Sequence, residues 1–296
     1  MPDPEIEALR AMIAANPRPP GLGERRQRLD ALGDSFPVPS GIRLEPVEAN
    51  GVPAEWSSAA DAEADRVILF LHGGGYISGS IASHRPLAVE IGRQSRARTL
   101  ALDYRRAPEN PFPAAVEDVI AGYRYLLGLG LSPRRVAVAG DSAGGGLTIA
   151  LMLAARDRGL PLPACGWCIS PWVDLEMRGE SIDGKSAADP MIQRPYLEEL
   201  ARAYLGKADP RTPLASPLHG DLSGLPPLLI QVGSAETLLD DSVRLARAAG
   251  AAGVMAALEI WPEMIHAWPL FHQKLAAGRR AIARAAAFIR AAQDAA

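Results

Sequence analysis

Apolar positions change their period along the chain, and the change divides it. Ile6, Leu9, Met12 and Ile13 recur at helical spacing, the Pro17-Arg18-Pro19-Pro20 run breaks the pattern, and a second helical stretch follows over residues 23–32. From residue 42 the period becomes two. Residues 42–47 and 52–56 alternate around Asn50-Gly51, a dipeptide that tolerates the positive φ angles of a tight hairpin. Continuous apolar runs then occupy residues 66–71, 99–102, 135–139, 164–169, 228–232 and 258–261, separated by helical patterns over 85–95, 113–129, 145–155, 240–249 and 273–291. Such runs are strands covered on both faces. Alternating with helices, they predict an α/β fold with a mostly parallel, doubly wound, eight-stranded sheet flanked by helices.

Residues 177–225 interrupt this rhythm and are too many for a bare loop. Tyr196, Leu197, Leu200 and Tyr204 fall at helical spacing, which predicts an inserted helix within 195–205. Together with the N-terminal helices it predicts a helical cap: residues 1–40 and 177–212 as cap elements, 41–176 and 213–296 as the catalytic core.

Composition excludes more than it adds. With 48% hydrophobic and 22% charged residues, 296 residues can bury a large core. A net charge of -3 with scattered Lys and Arg argues against nucleic acid or an anionic membrane as partner. The first twenty or so residues have acidic groups where a secretory leader has lysines, and no run reaches the roughly 18 apolar residues of a membrane span. Cys165 and Cys168 lie in an apolar strand rather than at a helix N-terminus, so they read as buried thiols, and no second pair completes a zinc site. The expected setting is the reducing cytoplasm, with no metal and no cofactor.

In a parallel α/β sheet, functional residues gather on loops beyond the C-terminal strand ends. The strand at 135–139 runs into Gly140-Asp141-Ser142-Ala143-Gly144 and then a helix, the strand–turn–helix context in which a serine hydroxyl is pushed out of the sheet. A serine nucleophile needs a base and an acid to orient it. Among His72, His84, His219, His266 and His272, only His266 follows the last core strand; His84 and His219 lie in polar sequence and His272 at the start of the terminal helix, and these three read as surface residues. After the preceding strand stand Glu236, Asp240 and Asp241. Glu236 is nearest the strand end, whereas Asp240 and Asp241 open the next helix and have work there against its dipole. His72-Gly73-Gly74-Gly75 turns tightly after a buried strand and can expose amides to an oxyanion, with the Ala143 amide as a further donor and His72 as an orienting residue rather than a base.

The motifs His72-Gly-Gly-Gly-Tyr76, Asp103-Tyr-Arg-Arg-Ala-Pro-Glu109, Pro111-Phe-Pro-Ala-Ala115, Gly140-Asp-Ser-Ala-Gly-Gly145 and Asp189-Pro-Met-Ile192, in this order, resemble the bacterial hormone-sensitive lipase family (family IV) of carboxylesterases over nearly the whole chain. The resemblance implies an α/β-hydrolase core under a helical cap, with Gly74 and Gly75 donating to the oxyanion together with Ala143. Its acid is commonly an Asp; the aligned position here is Glu236, and 266 − 236 = 30 matches the family's spacing to the histidine. Asp189 falls in the cap and is not where an orienting acid is expected. Tyr76, Asp141, Trp172, Ile265 and Trp268 are candidate pocket residues, with Asp174 expected at the mouth. The implied activity is hydrolysis of short- to medium-chain esters through an acyl-enzyme. A lactone hydrolase needs the same residues, and an amidase or a non-catalytic binding protein on this scaffold are further alternatives. The partner is a small ester or lactone, and because relatives are often dimers a homodimer is a further expectation.

Overall fold

The computed structural model describes residues 3–295. Its eight strands form one sheet: β1 (Arg43–Ala49), β2 (Val52–Ser58), β3 (Glu63–Leu71), β4 (Ala97–Leu102), β5 (Val136–Asp141), β6 (Cys165–Ile169), β7 (Leu228–Gly233) and β8 (Ala256–Trp261), in the order β1-β2-β4-β3-β5-β6-β7-β8. β2 is antiparallel to β1 and β4, and every other pair is parallel. The β1–β2 hairpin turns at Asn50 and Gly51, with φ of 53° and 87°, the conformation their sequence foretold.

Period-two alternation sorts the core into two layers. Val67, Leu69 and Leu71 of β3 face α4 (Ala114–Gly128) and α5 (Ala143–Asp157), while Ile68 and Phe70 between them face α3 (Ile81–Ser95) and α9 (Ala276–Asp294). α8 (Leu239–Ala251) lies on the α4–α5 side. β5 is buried at every position because both faces are covered.

Two helix starts differ from the sequence reading for a reason the local structure shows. α3 begins at Ile81, ahead of Arg85, because Ser80 and Ser83 form a reciprocal capping box and Pro86 is accommodated inside the helix. α9 starts at Ala276 rather than residue 273, since Trp268–Phe271 form a separate tight turn that ends at His272.

Preceding the sheet, α1 (Pro4–Ala14) and α2 (Leu22–Asp34) cross the same end of the molecule as the stretch after β6, which contains a short helix α6 (Ser181–Gly184) and the expected α7 (Arg194–Leu205). The two segments are joined by polar contacts. Arg10 Nη1 donates to Ala188 O at 2.8 Å, and Arg25 pairs with Glu199 at 2.6 Å. α2 also docks by its backbone: a Cβ at Gly33 would sit 2.2 Å from Ala82 O, so only glycine lets α2 approach the first turn of α3. Among the described residues no helix is long and apolar enough to cross a membrane.

Cys165 and Cys168 are buried and unbridged, three positions apart on β6 and therefore on opposite faces of the sheet. Burial pushes both thiols up, Cys165 to about 12. A thiol reagent such as DTNB is expected to label neither cysteine in the native protein and both after guanidine denaturation; rapid native labelling would contradict this packing.

Candidate active site

β5 delivers Ser142 at φ 55° and ψ -119°, a backbone conformation that L-residues rarely adopt and that costs of order 1–3 kcal/mol. Three hydrogen bonds hold it. Ser142 N donates to Ile169 O at 2.8 Å, and Ser142 O accepts from Trp172 N at 3.0 Å and Gly146 N at 3.1 Å. The flanking glycines make the turn possible: a Cβ at Gly144 would lie 2.0 Å from Leu71 O, and one at Gly140 would lie 2.4 Å from Gly144 O. α5 begins at Ala143, whose N–H is among those a helix start leaves without an intrahelical acceptor.

The loop after β3 stands beside this turn. Gly73 N donates to Asp141 Oδ1 at 3.0 Å, which orients the following amides. Gly74 and Gly75 have φ of 108° and 62°, and no acceptor among the described residues takes either N–H. Below the loop, Tyr104 OH donates to His72 O at 2.7 Å and its ring stacks on His72 with centroids 4.1 Å apart. Arg106 Nη1 donates to Gly79 O at 2.6 Å, and Ala107 N donates to Tyr76 O at 2.9 Å. The Asp103–Glu109 motif is thus a buttress for the glycine loop. His72 donates Nδ1–H to Gly73 O at 2.7 Å, and burial lowers its pKa to about 3, so it stays neutral and structural.

On the other side of Ser142, His266 Nδ1 meets Glu236 Oε2 at 2.8 Å. A carboxylate can only accept, so Nδ1 carries the proton and Nε2 is left to take another. Glu236 is fully buried and its second oxygen is also used: Oε1 accepts from Ser170 Oγ at 2.8 Å and from Gly233 N. Ser170 Oγ in turn accepts Ala267 N at 3.1 Å, bracing the residue next to His266. Burial acts to lower the His266 pKa, but the hydrogen bond and charge of Glu236 outweigh it and leave it above the usual histidine value. Burial raises the Glu236 carboxyl, with the His266 bond offsetting part of that rise.

Asp240 and Asp241 sit in the first turn of α8, as their sequence suggested. Asp240 Oδ2 accepts Ser181 N at 2.8 Å, and Asp241 Oδ2 accepts Val173 N and Asp174 N at 2.9 and 3.0 Å, so neither carboxylate is at His266. Asp189, from the stretch between α6 and α7, accepts Thr237 N at 2.9 Å and so supports the loop that carries Glu236.

A cavity of about 140 Å³ brings together Gly74, Gly75, Asp141, Ser142, Trp172 and His266, walled mainly by apolar side chains from α7 and its approach. Trp172 is part of this lining. Asp141 reaches the cavity too, with its carboxylate committed to Gly73 and His84. Tyr76, Ile265 and Trp268 stand outside the lining and are corrected to packing positions. Tyr76 stacks on Tyr204 at 3.7 Å, and Ile265 and Trp268 join a buried cluster with Ile6, Leu9 and Phe271. Asp174 is not at the mouth; it is buried and paired with Arg244 at 2.6 Å.

Two of the three histidines set aside as surface residues also need correction. His84 and His272 are buried, because α3 starts early enough to pack His84 against Asp141 Oδ2 at 3.3 Å and because His272 closes the turn before α9. His219 lies 3.6 Å from Asp174 and 3.3 Å from Glu176, a grouping of metal-ligand types outside the cavity whose carboxylates already pair with Arg244, Arg178 and Arg211.

A family model described as the alpha/beta hydrolase fold matches residues 68–270. An acetyl-hydrolase of Streptomyces hygroscopicus is 48% identical over 297 residues, covering 99% of this chain and 98% of the relative. An esterase of Acinetobacter venetianus is 33% identical over 264 residues, 89% of this chain and 87% of its own. The crystal structure of an esterase from the bacterial hormone-sensitive lipase family superposes with a TM-score of 0.96 at 46% identity, with 99% of each chain covered. The chain belongs to the bacterial hormone-sensitive lipase family. As in other α/β-hydrolases, its candidate serine, acid and histidine follow β5, β7 and β8 in chain order.

Sequence reasoning missed Ser170 and His84. Ser170 stands two residues before Trp172 with no motif to mark it, and only the strand pairing that sets β6 between β5 and β7 aims its hydroxyl at Glu236. Two outcomes follow for this hormone-sensitive lipase family member. Its kcat/KM should rise with pH through a single ionisation above the ordinary histidine value of about 6.5, because the base must be neutral and Glu236 favours its protonated form. In Glu236→Gln that ionisation should move down as activity falls; a pH–rate profile unchanged by the substitution would remove Glu236 from this role. Ser170→Ala should lower kcat by about tenfold while leaving KM within a factor of about two, if the hydroxyl orients the pair rather than binding substrate.

Proposed function

We propose that the protein is a serine carboxylesterase that hydrolyses short- to medium-chain esters through an acyl-enzyme, with Ser142, His266 and Glu236 as its triad and Gly74, Gly75 and Ala143 as its oxyanion donors. The observation that carries this reading is the meeting in one cavity of a strained serine, a histidine whose Nδ1 is held by a buried carboxylate, and two glycine amides that meet no acceptor among the described residues.

Ser142 Oγ attacks the ester carbonyl carbon and its proton passes to His266 Nε2. The carbonyl oxygen gains the negative charge and is met by the Gly74, Gly75 and Ala143 N–H groups. Each such donor contributes roughly 3–4 kcal/mol to a transition state of this kind. Glu236 stabilises the imidazolium, which then returns the proton to the leaving alcohol oxygen as the C–O bond breaks. Water repeats the sequence on the acyl-enzyme, releasing the carboxylic acid and restoring Ser142. A cavity of about 140 Å³ with apolar walls supports acyl groups of modest length.

In this reading residues 1–40 and 177–212 form the cap, supported by the Arg10–Ala188 and Arg25–Glu199 contacts that join them beside the cavity. Its setting is a cytoplasmic homodimer, a reading that light scattering and cell fractionation test. A lactone is a cyclic ester and would react through the same groups.

Ser142→Ala should lose at least about a thousandfold in kcat, and a fluorophosphonate probe should label the unmutated protein but not this variant. Labelling elsewhere, or full activity in Ser142→Ala, would sink the proposal. Glu236→Gln should cost far more turnover of p-nitrophenyl butyrate than Asp240→Asn, since Asp240 holds a backbone amide of the α6 segment; the reverse order would reassign the acid. Across p-nitrophenyl esters from acetate to dodecanoate, kcat/KM should peak among the shorter chains.

A further inference from the structure

The cavity holding Ser142 continues outward. A groove of about 680 Å³ runs between the α1–α2 segment and the stretch before α7, and its lining shares Arg18, Leu29 and Met191 with the inner cavity. Of these three, Arg18 is the charged one, so a guanidinium stands where solvent-side groove meets reaction site. Arg25 and Arg28 line the outer groove behind it.

Arg18 is held without an anion. Its guanidinium carbon lies 3.3 Å from the Tyr196 ring centroid and Nη2 donates to Met191 O at 2.5 Å. Nε and Nη1 have no acceptor, and no carboxylate pairs with the group, among the described residues. The neighbouring carboxylates are all engaged. Glu199 pairs with Arg25 at 2.6 Å, Asp189 accepts the Met191, Ile192 and Thr237 amides, and Asp141 is bound to Gly73 N and His84. Arg28 donates to the Asn16 and Pro17 carbonyls. Arg18 is exposed along the groove rather than enclosed, its guanidinium resting on an aromatic face, so its remaining N–H groups are turned to solvent where a ligand would enter. An arginine so placed, with N–H groups unspent, favours an oxyanion that arrives with the substrate.

We propose that Arg18 selects esters bearing a carboxylate remote from the scissile bond, whose charge it meets while the ester carbonyl lies at Ser142. This rests on the esterase reading and adds a substrate class to it. The apolar walls between the two points suit a methylene or aromatic spacer.

The test is the ratio of kcat/KM for charged and neutral esters of matched length. On the acyl side, mono-p-nitrophenyl succinate and adipate are compared with p-nitrophenyl butyrate and hexanoate; on the alcohol side, 4-acetoxybenzoate is compared with phenyl acetate. In Arg18→Met the charged-to-neutral ratio is expected to fall by about tenfold or more on at least one side, and in Arg18→Lys by less, the scale of one charge-assisted hydrogen bond. A ratio equal in all three proteins for every pair would overturn the proposal. Calorimetric titration of adipate into the unmutated protein and into Arg18→Lys reads anion binding without turnover; no adipate binding in either also overturns it. Absence of turnover with every ester would count against the esterase reading, whereas turnover without a change in charge ratio counts against Arg18 alone.

Discussion

Buried carboxylates that accept backbone amides hold the working end of this molecule together. Asp141 takes Gly73 N, Glu236 takes Gly233 N, Asp189 takes the Met191, Ile192 and Thr237 amides, and Asp241 takes Val173 N and Asp174 N, each with at most 2% of its surface exposed. Removing a carboxylate from water costs several kcal/mol unless hydrogen bonds replace its hydration. Each of these groups is therefore committed to its amide partners, which lie on loops that a hydrophobic core could not position or, for Gly233, at the end of a strand. The sheet supplies the frame; the acids set the loops upon it.

Seen this way, the Gly140-Asp141-Ser142 sequence does two things at once. The serine is carried outward on a strained backbone, and the acid before it reaches across to the glycine loop, so the candidate nucleophile and the candidate N–H donors are fixed relative to each other by one side chain. A Cβ at Gly73 would lie 2.1 Å from Asp141 Oδ2, which is why a glycine is needed there as well. Glu236 adapts a similar arrangement to a longer side chain. Its extra methylene still brings Oε2 to 2.8 Å from His266, while a Cβ at Gly233 would lie 2.1 Å from Met264 O, so the strand end and the histidine loop are in backbone contact.

Much of this was legible in the sequence. All eight strands, their mainly parallel pairing and the hairpin at Asn50 follow from hydrophobic period and turn chemistry, because long apolar runs between helices admit few other arrangements. Ser142, Glu236 and His266 were placed by strand order, and Glu236 and His266 do meet. Buried polar residues were harder to read. His84 sits in polar sequence, His272 reads as the start of the terminal helix and Asp174 as a mouth residue, but each is buried by a pairing with a residue far away in the chain or by a tight turn. Tyr76, Ile265 and Trp268 were misplaced for the opposite reason: an apolar side chain beside a functional residue has the same sequence signature whether it faces a ligand or the core.

Asp189 ties the stretch between α6 and α7 to the candidate site. Its carboxylate reaches the amide of Thr237, the residue next to Glu236, so the α6–α7 stretch and the loop that carries the deepest member of the candidate triad are joined by a hydrogen bond of 2.9 Å. Peripheral segments open at lower free energy than a central sheet. Warming this protein would then loosen the α6–α7 stretch first, and with it the orientation of the imidazole. Catalytic competence would be lost while the sheet remained intact, making inactivation a more sensitive thermometer of the molecule than the loss of its secondary structure.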